Sequence, residues 1–546
     1  MSGAVTQLRS QLGTQLWSTR QLLRSGMVAP MRPDKYLGMA RILRRYGPHA
    51  TSGFALAANR RPDGTGLVDE RGSLTWREIQ ERASALAVGL TTLGDQPVTS
   101  VAILCRNHRG FVDALIAAGR LGVPALLLNT GFSGPQLADV LEREQGALIV
   151  YDEEFSGLVA AARERVPHLV EVLSWVDDQT AAHDLPTAEG LIEEHRGAEP
   201  PYCRPGRVVL LTSGTTGTPK GANRSGGGPE ELAAMLERIP WRAEETVVVA
   251  APTFHAWGFG QLVIAATMTC TVVLRRRFDP EATLALADQH RATGISLVPV
   301  MLERIADLPD EVLDRYSLET VRFVSASGSR MRADAVLRFM DRFGDVVYNS
   351  YNATEAGQIT VASPADLRQA PDTAGRPVTG TSVRVVDDEG RDVPLGEVGR
   401  IVVKGASEFD GYTTGDTKDS LDGYMVSGDV GRMDGDGRLY VVGRDDDMIV
   451  SGGENVYPLE VERTIADLPG VREAVVVGVD DDQYGQRLAA FVVPTEAEAV
   501  TAEAVKAHVK AQLAGYKVPR DVVFLDELPR NASGKVMKRE LPGVSA

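Results

Sequence analysis

A chain of 546 residues is too long for one simple hydrophobic core and points to several structural units. Its 43% apolar and 24% charged content is ordinary for a soluble globular enzyme, and a formal net charge of −16 argues against wholesale nucleic-acid binding. No run of 18 apolar residues could span a membrane, the first 30 residues hold no compact apolar signal, and Cys105, Cys203 and Cys270 form neither a CxxC pair nor a metal-ligand spacing, so free thiols in a reducing cytoplasm are expected.

Charge is uneven along the chain. Residues 1–50 carry eight Lys or Arg and one acid, Asp34. Val5, Leu8, Leu12, Leu16 and Leu23 recur at helical spacing, with Arg9, Arg20 and Arg24 beside them, and a second helix is expected over Tyr36–Arg45 with Arg41, Arg44 and Arg45. This stripe either packs on the protein body, leaving the arginines solvated, or lies on an anionic membrane surface through residues 1–45. Asp69–Trp76 reads as a hairpin leading into a helix over Leu74–Leu93. Short apolar runs then predict strands at Val101–Cys105, Ala125–Leu128, Ala147–Tyr151, Val208–Leu211, Thr246–Ala250, Thr271–Leu274, Ser296–Val300 and Val321–Ser325. Helical stretches such as Phe111–Leu121 and Pro280–Ala292 lie between them, an alternation that predicts an α/β fold of parallel or mixed sheets covered by helices. A β-rich section runs from Glu397 to Val442, a boundary falls at residues 444–447, and residues 448–546 read as a small α+β domain.

The chemistry concentrates in a few motifs. Thr212–Gly221 reads TSGTTGTPKG and directly follows the apolar run Val208–Leu211. Its glycines let backbone N–H groups approach an anion, the hydroxyls of Thr212, Ser213, Thr215 and Thr216 add donors, and Lys220 adds a mobile positive charge. A loop at a strand's carboxyl end is where open α/β sheets bind ligands. Pro219 and Gly221 around the lysine exclude the common P-loop. Downstream, Thr354 and Glu355 follow Tyr351 and Asn352. A carboxylate beside a phosphate site needs a bridging cation, so Glu355 is the expected Mg²⁺ ligand. Thr354 can bond a phosphate oxygen, and Tyr351 offers a face for a base to stack on. Gly-x-Ser-x-Gly and Gly-x-Gly-x-x-Gly are absent.

Taken in order, these motifs resemble the adenylate-forming superfamily, which holds acyl-CoA synthetases, the adenylation domains of peptide synthetases and beetle luciferase. The resemblance covers roughly Ala50 to Leu541, and within the superfamily the fatty-acyl-CoA synthetases are the expected branch. It implies a nucleotide loop built from Thr212, Ser213, Gly214, Thr215, Thr216, Gly217 and Lys220. It implies that Ser327 and Gly328 frame adenine, that Tyr351-Asn352-Ala353-Thr354-Glu355 is the Tyr-Gly-x-Thr-Glu segment, and that Asp429 and Arg444 hold the ribose. Asn352 departs from the usual glycine, and Asn tolerates a positive φ, so a turn there would survive. Asp446 matches the hinge position, Gly452 and Gly453 the loop lining the thioester tunnel, and Lys535 the catalytic lysine that offsets anion repulsion. His255 resembles the aromatic segment beside the carboxylate, and Trp257 the acyl-tunnel gate.

The resemblance implies an ATP-dependent ligase using ATP, Mg²⁺ and coenzyme A, with Lys535, Glu355, Lys220, Thr354 and His255 in catalytic roles. The basic lead and Trp257 favour a medium- or long-chain fatty acid. A ligase for an aromatic or other apolar acid, or an acyl-AMP ligase loading a carrier protein, is the alternative. The expected partners are these small molecules, with no nucleic acid, membrane contact through residues 1–45 and a homodimer left open, and the expected place is the cytoplasm or the inner membrane face.

Overall fold

The computed structural model describes residues 2–94, 96–178, 183–212, 220–224, 228–405, 409–412, 417–451, 454–481, 485–496, 499–531 and 534–544. The chain forms two compact units. The first comprises residues 1–372, 378–381 and 405–417; the second comprises 373–377, 382–404 and 418–546.

Two sheets build the first unit. One runs Phe409–Tyr412, Lys220–Arg224, Val208–Thr212, Ala125–Leu127, Val101–Leu104, Leu148–Tyr151 and Val170–Leu173 in spatial order. Its inner pairs are parallel, and the strands Lys220–Arg224 and Phe409–Tyr412 add an antiparallel edge. Every residue of Val101–Leu104 is buried, as a parallel strand covered on both faces requires, which explains its unbroken apolar run. The second sheet places Gly357–Ala362, Val347–Ala353, Phe323–Ser327, Gly294–Leu297, Thr246–Val249, Thr271–Val273, Thr65–Asp69 and Gly72–Thr75 side by side. Thr65–Asp69 and Gly72–Thr75 form the expected hairpin. Thr75 then caps the helix Trp76–Leu90, accepting from the Glu78 amide while Glu78 bonds back to the Thr75 amide.

Glu154 ties the segments that follow one strand of each sheet. Its carboxylate accepts from Arg106, which follows Val101–Leu104, and from Arg276 and Arg277, which follow Thr271–Val273, at 2.7–2.9 Å.

In the second unit, Ser382–Val386, Gly399–Lys404, Tyr424–Met433 and Ser420–Leu421 form an antiparallel sheet, joined by Leu439–Arg444. That sheet ends at Arg444. A 3₁₀ turn, Asp445–Asp447, leads to a new sheet beginning with Ile449–Ser451 and centred on the pair Val471–Asp481 and Gly485–Pro494. The helices Pro458–Ala466 and Ala502–Gln512 pack on it through Val461, Ile465, Val505 and Val509. The expected break at residues 444–447 is thus a break between sheets, whereas by compactness the β-rich residues 382–404 and 418–444 group with the C-terminal ones.

Two local expectations are corrected. The strand expected at Ser296–Val300 is Gly294–Leu297, because Pro299 opens the helix Pro299–Ala306 as its first residue. The strand expected at Val321–Ser325 lies two residues later, at Phe323–Ser327, paired in parallel with both neighbours. Of the N-terminal stripe, the side chains of Val5, Leu8 and Leu12 lie outside the described residues. The helix Ser2–Arg24 buries Ser18 and Gln21 and bonds Trp17 Nε1 to Glu237, while Leu16 and Leu23 face outward.

Candidate active site

The nucleotide loop sits on a hairpin. Val208–Thr212 and Lys220–Arg224 pair antiparallel with Thr212 opposite Lys220, and Val208–Thr212 runs parallel to Ala125–Leu127. Residues 212 and 220 are therefore the two feet of the loop, at a strand's carboxyl end as expected. Ser213, Gly214, Thr215, Thr216 and Gly217 lie outside the described residues, as do Gly452 and Gly453.

The second sheet gathers the next group. Phe323–Ser327 and Val347–Ala353 are parallel neighbours with Ser327 opposite Ser350. Ser327 is buried, and its Oγ accepts from Asn352 Nδ2 at 3.1 Å. Gly328 follows with φ +110°, a conformation that needs glycine. Val347–Ala353 and Gly357–Ala362 form an antiparallel hairpin whose turn is Thr354-Glu355-Ala356, closed by Ala356 N–H donating to Ala353 O at 3.1 Å. Asn352 stands within the strand, beside a bulge between Tyr351 and Asn352 and outside the left-handed region, so the turn foreseen there is displaced to Thr354–Ala356. Asn352 Oδ1 is buried and has no partner among the described residues. Thr354 and Glu355 present oxygen donors only, a hydroxyl and a carboxylate, which suits Mg²⁺ and not a soft metal.

The aromatic segment lies against the same strands. His255 precedes the helix Ala256–Thr267, and Trp257 on its first turn is buried, with its indole N–H donating to Leu297 O at 2.8 Å. Leu297 pairs with Ala326, next to Ser327, so Trp257 stands close to the strand ends that carry Ser327 and Asn352. Held by that bond, Trp257 is a fixed wall in this structure. One turn on, buried Gln261 accepts through Oε1 from Ser296 Oγ at 2.9 Å and Ser325 Oγ at 3.4 Å.

Asn107 is a positioning residue that sequence reasoning missed. It is buried, donates Nδ2 to Ala251 O at 2.9 Å, and accepts through Oδ1 from the Thr253 amide at 2.9 Å and hydroxyl at 3.1 Å. It thus fixes the loop that delivers His255 and Trp257. Nothing local marks it, since its partners lie more than 140 residues away.

The second unit holds the residues implied for ribose. Asp429 and Arg444 are cross-strand partners, 3.5 Å apart between Oδ1 and a guanidinium nitrogen, and Arg444 Nε donates to Asp446 at 3.0 Å. Burial works to lower the Arg444 pKa, but the Asp446 and Asp429 carboxylates outweigh it and raise it. Gly428, at φ +81°, lies against this guanidinium, where a Cβ would come within 3.2 Å of it. Ser427 Oγ donates to Ile401 O and accepts from the Asp429 amide, which fixes the Asp429 backbone. Lys535 is exposed at the end of a tight turn. Its N–H donates to Asn531 Oδ1 and its carbonyl accepts from the Asn531 amide, both at 2.9 Å. Arg530 braces the turn by donating to Gly534 O at 2.7 Å while pairing with Glu473 at 2.7 Å.

The fold also assembles a cluster that linear spacing did not show. The ligand atoms of Cys105, His108 and Asp152 lie within 4.8 Å of one another, all buried. Hydrogen bonds use up this cluster. His108 Nε2 meets Asp152 Oδ1 at 2.8 Å, His108 Nδ1 accepts from the Gly110 amide, and Asp152 Oδ2 accepts from the Arg106 amide. Burial pushes the Cys105 thiol well up, so it is a poor nucleophile. The cluster caps the helix Arg109–Leu121 and supplies no reactive group.

Comparison with known proteins gives the family. Residues 54–413 match the family described as AMP-binding enzyme, and residues 460–535 match the AMP-binding enzyme C-terminal domain. The chain is 35% identical to a feruloyl-CoA synthase from Amycolatopsis over 479 residues, 86% of this chain and 93% of that one. It is 33% identical to an indoleacetate–CoA ligase from Aromatoleum aromaticum, covering 86% and 92% of the two chains. Its fold superposes on the Bacillus subtilis o-succinylbenzoate CoA synthetase, solved in complex with its acyl-adenylate intermediate, with a TM-score of 0.76 at 27% identity over 90% of this chain and 98% of that one. The chain belongs to the family of AMP-binding enzymes.

Proposed function

We propose that this enzyme activates an aromatic or other ring-bearing carboxylic acid as its coenzyme A thioester. The chain is an ATP-dependent acid–CoA ligase. In the first step a substrate carboxylate oxygen attacks the α-phosphorus of ATP, the bond to the β-phosphate oxygen breaks, and pyrophosphate leaves. In the second, the coenzyme A thiolate attacks the acyl carbon of the adenylate, and AMP leaves with the electron pair of the broken C–O bond. Lys220 and Lys535 offset the repulsion between carboxylate and phosphate in the first step. Mg²⁺, when bound, neutralises phosphate charge, and Glu355 would hold it while Thr354 bonds a phosphate oxygen. Asp429 and Arg444 orient the ribose through charge-assisted hydrogen bonds.

The observation that carries the choice of acid is the similarity to ligases named for feruloyl, indoleacetate and succinylbenzoate groups. The fatty acid favoured by the basic lead and Trp257 is the weaker reading, because Trp257 is pinned to Leu297 O and does not hang free as a gate. Asn352 Oδ1 supports an acid with a polar ring substituent, since a buried acceptor is costly until a donor meets it. The test is a single-pot competition. Enzyme, Mg-ATP and coenzyme A meet equal amounts of C2–C20 fatty acids, hydroxycinnamates, indoleacetate and benzoates, and mass spectrometry reads the thioesters. Dominance of a ring-bearing thioester is the expected result. A dominant fatty-acyl thioester overturns the choice of acid, and AMP and pyrophosphate without thioester would make the protein an acyl-AMP ligase.

A further inference from the structure

The N-terminal helices form a built platform with an outward face that nothing in the described chain covers. Their inner faces are anchored. Trp17 bonds Glu237 at 2.9 Å, the Ala243 amide donates to Ser25 O, and Arg60 donates to the Gly26 and Met27 carbonyls that link the two helices. In the helix Pro33–Tyr46, Gly38 sits so tightly on Asn59 that a Cβ would come 2.0 Å from the amide oxygen. The segment is therefore part of the folded first unit, and its side chains point where the fold directs them.

Those directions are unusual for a water-exposed surface. Six of the twelve large exposed hydrophobics among the described residues fall between positions 16 and 43. Leu16 is 71% exposed, Leu23 55%, Leu37 68% and Leu43 43%. Leu16, Arg20 and Leu23 follow one helical stripe, and Leu37, Arg41 and Arg44 follow another. Each stripe thus sets arginine among exposed leucine, in a segment that holds one acid, Asp34, already paired with Arg32. Arg41 and Arg45 further line an open cleft of about 450 Å³ with Tyr46, Arg120 and Glu199, whose carboxylate accepts from Arg120 at 2.9 Å.

We propose that this platform docks on an anionic lipid bilayer, its leucines entering the boundary of the acyl chains while Arg20, Arg41 and Arg44 meet headgroup phosphates. Charge complementarity argues for this occupant. The chain as a whole carries −16 while residues 1–50 carry eight Lys or Arg and one acid, so an anionic surface attracts this segment against the chain's average repulsion. Exposed leucine between arginines matches the layered chemistry of a bilayer interface, where apolar and anionic groups lie a few ångströms apart. The docked enzyme would draw apolar acids from, or deliver thioesters to, the membrane surface.

The experiment uses the full chain with extruded vesicles of phosphatidylcholine alone or mixed with phosphatidylglycerol, read by co-sedimentation at low and high salt. Leu16→Ser/Leu23→Ser and Arg41→Glu/Arg44→Glu, all at exposed positions, are compared with wild type for binding and for thioester formation on a soluble acid. Binding to the anionic vesicles only, weakened by salt and lowered at least about tenfold in both variants with unchanged turnover, is the expected result. Absence of binding, or equal binding to both vesicles, overturns it. A dimer that Leu16→Ser/Leu23→Ser dissociates would overturn it too, by assigning the face to a second copy of the chain.

Discussion

At the scale of single residues, Lys535 and Asn352 differ in how firmly they are held. Lys535 projects from a turn clamped by Asn531 and Arg530, so its backbone is fixed while its ammonium is exposed. Such a residue can act by charge alone, with no part in the core. Lys535→Ala should therefore leave the melting temperature unchanged and lower pyrophosphate release by roughly 10²–10³-fold, the usual cost of removing one electrostatic stabiliser. Thioester formation from supplied acyl-adenylate should stay near wild type. If both half-reactions survive, Lys535 has no catalytic role. Asn352 is the opposite case, half-buried and spending its amide N–H on Ser327. Asn352→Gly removes that bond and the adjacent acceptor. Selectivity for a hydroxylated over an unsubstituted cinnamate should fall by about tenfold in kcat/KM, the worth of one buried hydrogen bond. Unchanged selectivity would show that Oδ1 does not address the acid.

At the scale of elements, Glu154 shows how the first unit is held together and how that hold depends on pH. Burial works to raise its pKa, but hydrogen bonds from Arg106 and Arg277 outweigh it and bring the carboxyl down from its ordinary 4.5 to about 2. The unfolded chain then binds the proton more readily than the folded one. The stabilisation is complete above about pH 4.5 and disappears as the pH falls toward 2. Glu154→Gln should lower stability by roughly 1–2 kcal/mol at pH 7, solvent screening reducing the full worth of the shift. Urea unfolding of both proteins at pH 7 and pH 3 should show the gap narrowing at the lower pH. A gap that does not change with pH would mean the charge is not what matters. This tie was invisible in the sequence, because Arg106, Glu154 and Arg276 belong to connections far apart in the chain. Elements were legible wherever burial was uniform, as in Val101–Leu104, or where local chemistry set a boundary, as at Thr75 with Glu78. They slipped where pairing overrode composition. Phe323–Ser327 continues through small residues that its neighbours hold in register, and Asn352 reads like a turn residue but is kept extended by Gln358 across the hairpin. The nucleotide loop, Asp429 and Lys535 stand out in the sequence because their motifs are written in contiguous residues. Asn107 was not, because its role exists only once two distant loops meet.

At the scale of the whole molecule, the chain assigns its chemistry to separate units. The nucleotide loop, Glu355 and Trp257 belong to the first, while Asp429, Arg444 and Lys535 belong to the second. Two half-reactions with different attacking groups, one at the α-phosphorus and one at the acyl carbon, call on different residues, and a short connection is where a chain can change direction at least cost. Asp445–Asp447 fits that role. It is a single 3₁₀ turn between a sheet that ends at Arg444 and one that begins at Ile449, and the Asp446 carboxylate is hydrogen-bonded to Arg444. Proline is compatible with a 3₁₀ φ but cannot leave it. Asp446→Pro should therefore fold normally and freeze the connection in one arrangement. The overall reaction should then stall with the half-reactions uncoupled: one, measured as pyrophosphate release or as thioester formed from supplied acyl-adenylate, stays near wild type, and the other falls by more than about 10²-fold, the scale of loss when reacting groups are misplaced. Equal loss of both would mean that Asp446 serves only the ribose contact through Arg444. No loss of either would mean that the chain turns elsewhere, and that the 3₁₀ segment is a spacer between two sheets.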